Sequence, residues 1–358
     1  MKVGLVLGAG GVVGAAWLIG ALEALEAETG WDPSTADRIV GTSAGSVVGA
    51  LLADGIAPSY LAAYSAGRTL DEIDDADGRV AALAERFGGR DEIDALAERL
   101  SGDDFRLHRA LPPVGPGSWR LALRTLTRPH RHAPAAVMAG WLPRGFVSTA
   151  PISELVGTFV SGSWPDHPGY WAVAADYHTG RRVAFGRDGA PPAAAADAVA
   201  ASCAIPGFYH PVKIAGRRYV DGGVCSMSNL DLLRGEDLDL VVCLNPMSSL
   251  AEAIGGTPAE RVGALVRSAS GRRLGREARR LREQGTEVLM VQPSEHDLAV
   301  MGLNLMARNR RVEVLERARR TTALALRELR GTRRLMPPRT RRTAAAPAAR
   351  AGQRSAAA

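Results

Sequence analysis

The stretch KVGLVLGAGGVVG, residues 2–14, decides the fold of this chain. Its first part, Lys2–Leu7, is apolar and β-rich and predicts a buried first strand. The glycines of Gly8–Gly14 then predict a turn, and Ala15–Glu28 predicts a helix. Residues 38–53 repeat this order, with a short apolar strand, the segment GTSAG and a helix. Two consecutive strand–turn–helix units predict an α/β domain with a largely parallel central sheet.

The uncharged N-terminal run, Val3–Leu22, is long enough to imitate a signal peptide or a membrane span. Six of its twenty residues are glycine, which suits a strand, a turn and a buried helix better than a lipid-facing helix. The three cysteines show no CxxC spacing and no companion histidines at metal spacing. We therefore expect a cytoplasmic protein with free thiols, no metal site and no cofactor.

The net charge of +6 comes from the C-terminal end of the chain. Residues 332–358 contain seven arginines and no acidic residue. Removing these seven from the 44 basic residues leaves 37 against 38 acidic residues, a net charge of −1. We therefore predict one near-neutral domain over residues 1–331 and a disordered Ala/Pro/Arg tail over residues 332–358, and we expect no nucleic-acid partner.

A variable insertion is expected at about residues 70–150. Within it, residues 105–153 contain seven arginines, two tryptophans, several prolines and no Asp or Glu, which predicts an irregular, lid-like segment. Tryptophan and arginine together suit the surface of an anionic membrane, so peripheral membrane contact is one interpretation. An arginine-biased surface insertion is the other, and the sequence leaves both open.

The remaining patterns predict strands and helices that alternate along the chain. The expected strands are Trp171–Ala175, Arg182–Phe185, a hairpin over Val212–Val220, Leu238–Leu244 and Glu287–Val291; the expected helices are Ala193–Ser202, Pro258–Gln284 and Arg310–Arg330.

The pentapeptide Gly41-Thr42-Ser43-Ala44-Gly45 matches the pattern GxSxG. It follows a predicted strand and precedes a predicted helix, the setting in which a strained turn exposes a nucleophilic serine at the sheet edge. A glycine-rich turn whose serine only caps the helix would have the same sequence.

The loop Gly8–Gly14 can bring backbone N–H groups together around an anion. A dinucleotide pyrophosphate is one such anion, but the GxGxxG frame from Gly8 places Val13 at the third glycine. The acidic residue expected after the second strand is also absent. An oxyanion formed during acyl transfer is the favoured alternative, because the loop would face a GxSxG turn.

Asp221 stands at the end of an apolar run in Tyr219-Val220-Asp221-Gly222-Gly223. Asp-Gly turns are common structural features. A serine nucleophile also needs a base from another chain segment, and Asp221 is the candidate.

Taken in order, the glycine loop, GxSxG, the stretch ASCAIPGF at residues 201–208 and Asp-Gly-Gly resemble the patatin-like phospholipase family. The resemblance covers about residues 1–305 and implies a three-layer α/β/α sandwich. It implies Ser43 as nucleophile and Asp221 as base, and an oxyanion hole from the amides of Gly10, Gly11 and Val12. The motif glycines are Gly8, Gly14, Gly41, Gly45, Gly222 and Gly223. The chain departs from the family pattern at two positions: Ala9 stands where the loop often has its first glycine, and Val13 stands where many members have Arg or Lys.

The resemblance implies a serine hydrolase that cleaves fatty acyl esters of phospholipids or related lipids through a Ser–Asp dyad and an acyl-enzyme. Acyl transfer on the same site and a non-catalytic nucleotide-binding or scaffold domain are the alternatives. A Ser–His–Asp triad would need one of the seven histidines, His108, His130, His132, His167, His178, His210 or His296. Of these, His210 lies near Asp-Gly-Gly and His296 follows a late strand. The expected location is the cytoplasm, with peripheral contact to a membrane as the further option.

Overall fold

The computed structural model describes residues 1–73, 78–100, 106–108, 114–127, 134–249, 257–329 and 332–335. Within these residues, the strands are β1 Val3–Leu7, β2 Arg38–Thr42, β3 Tyr170–Asp176, β4 Arg182–Phe185, β5 Val212–Ile214, β6 Arg217–Asp221, β7 Leu240–Leu244 and β8 Glu287–Val291. The helices are α1 Gly11–Thr29, α2 Ala44–Ala53, α3 Pro58–Ala66, α4 Arg79–Arg86, α5 Arg90–Leu100, α6 Trp119–Thr127, α7 Pro134–Trp141, α8 Ala150–Phe159, α9 Ala195–Ser202, α10 Pro258–Arg282, α11 Glu295–Met301, α12 Arg311–Glu328 and α13 Thr332–Leu335.

All strands belong to one sheet, in the order β5-β6-β3-β2-β1-β7-β8, with β4 also paired to β3. The strands from β3 to β8 in this order run parallel, and β4, β6 and β5 add antiparallel pairings at one side. In the β1–β2 pair, Leu7 lies opposite Gly41, so the loops after both strands leave the same edge of the sheet. The strand order reverses beside β1, and sheets of this kind bind ligands outside the carboxyl ends of the strands at such a point.

Helices cover both faces of the sheet. Along β1, Leu5 and Leu7 belong to one hydrophobic core, to which α1, α2, α9 and α12 contribute, and Val6 belongs to the other. Leu274 and Leu281 of α10 cover this second face. Each fully buried aliphatic side chain contributes about 1.5–3 kcal/mol, so both cores stabilise the fold substantially. The predicted three-layer α/β/α arrangement with a largely parallel sheet is confirmed.

The N-terminal helices begin earlier than the sequence pattern predicted. α1 starts at Gly11 instead of Ala15, and α2 starts at Ala44 instead of Ser46. In α1 the N–H of Gly14 donates to the carbonyl oxygen of Gly10 at 2.9 Å, so the last glycines of the loop already have helical hydrogen bonds. Each helix therefore begins directly at the edge of the sheet.

The predicted irregular character of residues 105–153 is wrong for much of this segment, because α6, α7 and the start of α8 lie in it. Leu121 of α6 is buried, and the hydroxyl of Tyr177 donates to the carbonyl oxygen of Ala139 in α7 at 3.0 Å. Residues 101–105, 109–113 and 128–133 lie outside the described residues. So do residues 336–358 of the predicted tail, whereas residues 332–335 form α13.

Candidate active site

Ser43 occupies the turn between β2 and α2. Its backbone has φ 53° and ψ −122°, a conformation that costs a non-glycine residue about 1–3 kcal/mol. The flanking glycines allow this close turn. A Cβ on Gly45 would lie 2.1 Å from the carbonyl oxygen of Leu7, and a Cβ on Gly41 would lie 2.4 Å from the carbonyl oxygen of Gly45. The GTSAG segment thus forms the strained strand–turn–helix connection typical of a nucleophilic serine.

Ser202, the last residue of α9, holds the Ser43 turn in place. Its hydroxyl accepts the N–H of Ser43 at 2.9 Å and donates to the carbonyl oxygen of Val173 in β3 at 2.6 Å. Both serines are buried, so water does not compete for these bonds. Ser202 stands in the stretch ASCAIPGF, but nothing in that pattern predicts a role for its hydroxyl. Its position next to the Ser43 turn makes it a structural part of the site.

Asp221 ends β6, where it lies opposite Ala174 of β3. Its Oδ1 accepts the N–H of Gly223 at 2.7 Å and closes the Asp-Gly-Gly turn. A Cβ on Gly222 would lie 2.4 Å from the carbonyl oxygen of Val173, so this turn packs directly against the sheet.

The carboxyl group of Asp221 is buried, and this burial raises its pKa to about 6. Hydrogen bonds from the Ser43 hydroxyl and from the N–H of Gly223 act in the opposite direction and lower the pKa. Burial disfavours the charged carboxylate, and this effect on the pKa of Asp221 is larger than that of the two hydrogen bonds. The structure therefore brings Ser43 and Asp221 together and makes Asp221 a stronger base than a free aspartate.

The glycine loop between β1 and α1 lies against the Ser43 turn. A Cβ on Gly45 would lie 2.8 Å from the carbonyl oxygen of Gly8. On the other side of the loop, a Cβ on Gly10 would lie 2.8 Å from the ring of Pro246. Gly11 has φ 63°, in the left-handed region that favours glycine. The loop is therefore fixed between the Ser43 turn and the segment after β7.

Three consecutive backbone amides of this loop find no acceptor in the part of the chain that the structure describes. The N–H groups of Ala9 and Val13 donate to carbonyl oxygens at 2.8 and 3.0 Å. Between them, the N–H groups of Gly10, Gly11 and Val12 form no hydrogen bond with the described residues. The first N–H groups of any helix lack intrahelical partners, and they favour negative charge. The predicted oxyanion residues thus supply three N–H groups at the start of α1.

A buried polar cluster, which no sequence pattern predicted, connects the segments around the site. The side-chain amide of Asn229 donates to the hydroxyl of Thr42 at 3.0 Å and to the carbonyl oxygen of Ser226 at 2.7 Å. The hydroxyls of Ser226 and Ser228 donate to the two carboxylate oxygens of Glu277 in α10 at 2.8 and 2.7 Å. Glu277 stands in a strongly charged helix, where its sequence gives no sign that it is buried.

An apolar cavity of about 210 Å³ lies beside Ser43. Aliphatic side chains form most of its wall, including Ile19, Leu51, Leu61 and Leu155. Pockets for drug-sized ligands have volumes of about 300–1,000 Å³, so this cavity suits one extended apolar chain better than a whole large ligand. A larger open groove of about 680 Å³ lies between α10 and α11, and no residue of the three motifs lines it.

Among the residues that the structure describes, neither His210 nor His296 forms a hydrogen bond with Ser43 or Asp221. The ring of His210 stacks on the ring of His108 with centroids 3.9 Å apart, and His296 is exposed on α11. In the described part of the chain, the hydrogen bonds of Ser43 and Asp221 involve no histidine ring. The geometry therefore favours the pair over a triad.

Across the same described ranges, no group of three or more His, Cys, Asp or Glu side chains is placed to hold a metal ion. The described helices also include none with the length and apolar character needed to cross a membrane.

The comparisons with known proteins fit this geometry. The family model for patatin-like phospholipase matches residues 5–234, which include the glycine loop, Ser43 and Asp221. Among curated proteins, none matches this chain. One matching solved structure is the crystal structure of VipD from Legionella pneumophila, with 14% sequence identity, a TM-score of 0.38, and coverage of 90% of this chain and 67% of that chain. At this TM-score, the likeness to VipD contributes no argument.

Proposed function

The chain belongs to the patatin-like phospholipase family, and we propose that it hydrolyses fatty acyl esters of phospholipids or related lipids through a Ser43–Asp221 dyad. Family membership supports lipid acyl hydrolysis in general. One observation supports this mechanism above the others. The hydroxyl of Ser43, which lines the apolar cavity, pairs with the buried carboxyl group of Asp221.

In the proposed acylation step, Ser43 Oγ attacks the ester carbonyl carbon and its proton passes to Asp221. The bond from that carbon to the leaving alcohol then breaks, and the alcohol oxygen takes the proton from Asp221. A base works best with a pKa near the operating pH, so the raised pKa of about 6 makes Asp221 more effective than a free aspartate. The acyl chain occupies the apolar cavity.

In the second half of the proposed cycle, Asp221 takes a proton from a water molecule, which attacks the acyl carbon of the acyl-enzyme. The bond from that carbon to Ser43 Oγ then breaks, Oγ takes the proton back from Asp221, and the fatty acid leaves. Both steps pass through a tetrahedral oxyanion. We expect the N–H groups of Gly10, Gly11 and Val12 to stabilise it, and their lack of an acceptor among the described residues supports this role. One such donor contributes about 10²–10³ in kcat.

We also propose that α6 and α7 contact the membrane surface. Trp119, Leu123 and Leu126 on α6 and Met138 and Trp141 on α7 are 43–64% exposed, beside arginines of the same segment. α7 contacts the turn that follows Asp221, so this apolar surface adjoins the site. Replacing both exposed tryptophans with serine should weaken binding to anionic vesicles and spare hydrolysis of a soluble short-chain ester; unchanged vesicle binding would contradict the proposal.

The mechanism can be tested with a panel of phospholipids and neutral acyl esters, using the wild type and the variants Ser43→Ala and Asp221→Asn. We expect hydrolysis to fall by about 10⁴-fold or more in both variants, because dyad residues act as a unit. A fluorophosphonate should label the wild type and fail to label Ser43→Ala. Circular dichroism serves as the folding control.

The outcomes separate the alternatives. A folded wild type that neither hydrolyses any ester nor reacts with the fluorophosphonate would favour a non-catalytic domain. Labelling with transfer of the acyl group to added alcohol or thiol, in preference to water, would indicate an acyltransferase. Undiminished hydrolysis in Asp221→Asn would rule out the dyad, and alanine variants of the histidines would then be measured.

A further inference from the structure

The segment between α11 and α12 lies on the glycine loop, although it is outside the residues that the family model matches. The carbonyl oxygen of Leu305 accepts the N–H of Val13 at 3.0 Å. A Cβ on Gly11 would lie 3.2 Å from the sulfur of Met306. This segment therefore forms one wall of the entrance to Ser43.

Two arginines follow directly after this wall. Arg308 and Arg311 line the same cavity as Ser43, Gly11 and Val12, and both are half-buried. The lining contains no Asp or Glu. The two arginines are thus the charged side chains of this lining.

Two other ionisable groups of the lining, Cys203 and Tyr209, are neutral at pH 7. Burial raises the pKa of Cys203 well above its usual value and that of Tyr209 to about 12, with Arg308 opposing the rise at Tyr209. Glu316, an acid on α12, pairs with Arg319 at 3.0 Å, on a part of that helix that does not line the cavity. Arg311 forms no ion pair with the described residues. Both charged side chains of the lining are therefore basic.

We propose that Arg308 and Arg311 form an anion subsite that binds the phosphate group of a phospholipid whose ester lies at Ser43. Guanidinium groups bind phosphate through paired, charge-assisted hydrogen bonds, which are stronger and more directional than those of an ammonium group. The glycine loop Gly8–Gly14 contains no charged side chain, so the positive charge at this entrance comes from the C-terminal part of the chain. This inference rests on the proposed lipid substrate and defines its class.

The test compares a monomeric short-chain phosphatidylcholine with a neutral diacylglycerol of the same acyl length. In Arg311→Gln and in the double variant Arg308→Gln/Arg311→Gln, we expect kcat/KM for the phospholipid to fall about 10-fold to 100-fold. Hydrolysis of the neutral ester should stay unchanged. Arg311→Lys should recover part of the loss, since it keeps the charge without the paired geometry. Arg320→Gln is the matched control, because Arg320 is exposed on α12 and does not line the cavity.

Binding provides a readout that does not depend on hydrolysis. In a Ser43→Ala background, a non-hydrolysable ether phospholipid should bind more weakly after Arg311→Gln, and a neutral ether lipid should bind equally well. Competition with inorganic phosphate and with a free fatty acid shows whether phosphate or carboxylate is preferred. Equal losses for phosphate-bearing and neutral lipids, or no loss for either, would overturn the subsite. If the ether phospholipid binds selectively but the wild type hydrolyses no phospholipid, the subsite is kept and the proposed activity is contradicted.

Discussion

The titration of Asp221 should affect activity and stability in opposite directions. Burial raises its pKa from an ordinary value of 3.8 to about 6. If Asp221 is the base, kcat/KM should rise about tenfold per pH unit up to about pH 6 and then level off, because only the carboxylate accepts the proton of Ser43.

Stability should change the other way. Because the folded-state pKa lies above the unfolded one, the native protein binds more protons than the unfolded chain between about pH 4 and pH 6. The free energy of unfolding gains this contribution fully below about pH 4 and loses it as the pH rises through about 6. A shift of about two units corresponds to about 3 kcal/mol, since one pKa unit equals about 1.4 kcal/mol.

The variant Asp221→Asn isolates this effect, since the amide keeps the shape of the side chain and does not titrate. Urea unfolding of both proteins from pH 4 to pH 8 should show the variant gaining about 3 kcal/mol relative to the wild type as the pH rises. Glu23, whose pKa burial raises to about 7, adds its own slope to both proteins, and the difference between them removes it. A constant difference at all pH values, or an acid limb of kcat/KM near pH 4, would refute the reasoning.

Two further substitutions test the supports of the site. Ser202→Ala leaves the buried N–H of Ser43 without its acceptor and removes a donor to the carbonyl oxygen of Val173, so we expect a loss of about 1–3 kcal/mol in urea unfolding and slower fluorophosphonate labelling; full stability would contradict this role. Gly10→Ala would push a Cβ against Pro246 and displace the free amides, so kcat should fall about 10²-fold or more with KM little changed. Gly275→Ala, where a Cβ meets open space, is its control.

The sequence predicted the parts of the site that local geometry requires. Gly41 and Gly45 could be recognised because a one-residue turn with Ser43 at φ 53° leaves no room for a side chain on either flank. The strands that precede the site loops could also be predicted, since each is a short apolar run. That the loops meet followed from the parallel pairing of β1 with β2.

The insertion shows where pattern reasoning failed. The arginines and prolines of residues 105–153 suggested irregular structure, yet Trp119, Leu123 and Leu126 recur at helical spacing on α6. These three side chains are exposed, so the periodic pattern marks an outward face rather than a core. The periodicity of these three residues therefore indicates the helix that the composition of the segment obscures.

The base strength of Asp221 is the property that no motif could reveal. Asp-Gly-Gly fixes the turn and its N–H donor, and that donor lowers the pKa. The rise to about 6 comes from burial, hence from side chains distant in sequence that exclude water. Asn229, which donates to Thr42 beside Ser43, and Glu277, which binds Ser226, position the segment after the turn through contacts spanning 51 to 187 residues. A chain with the same motifs and a looser arrangement of this cluster would admit water to Asp221 and leave it a weak base.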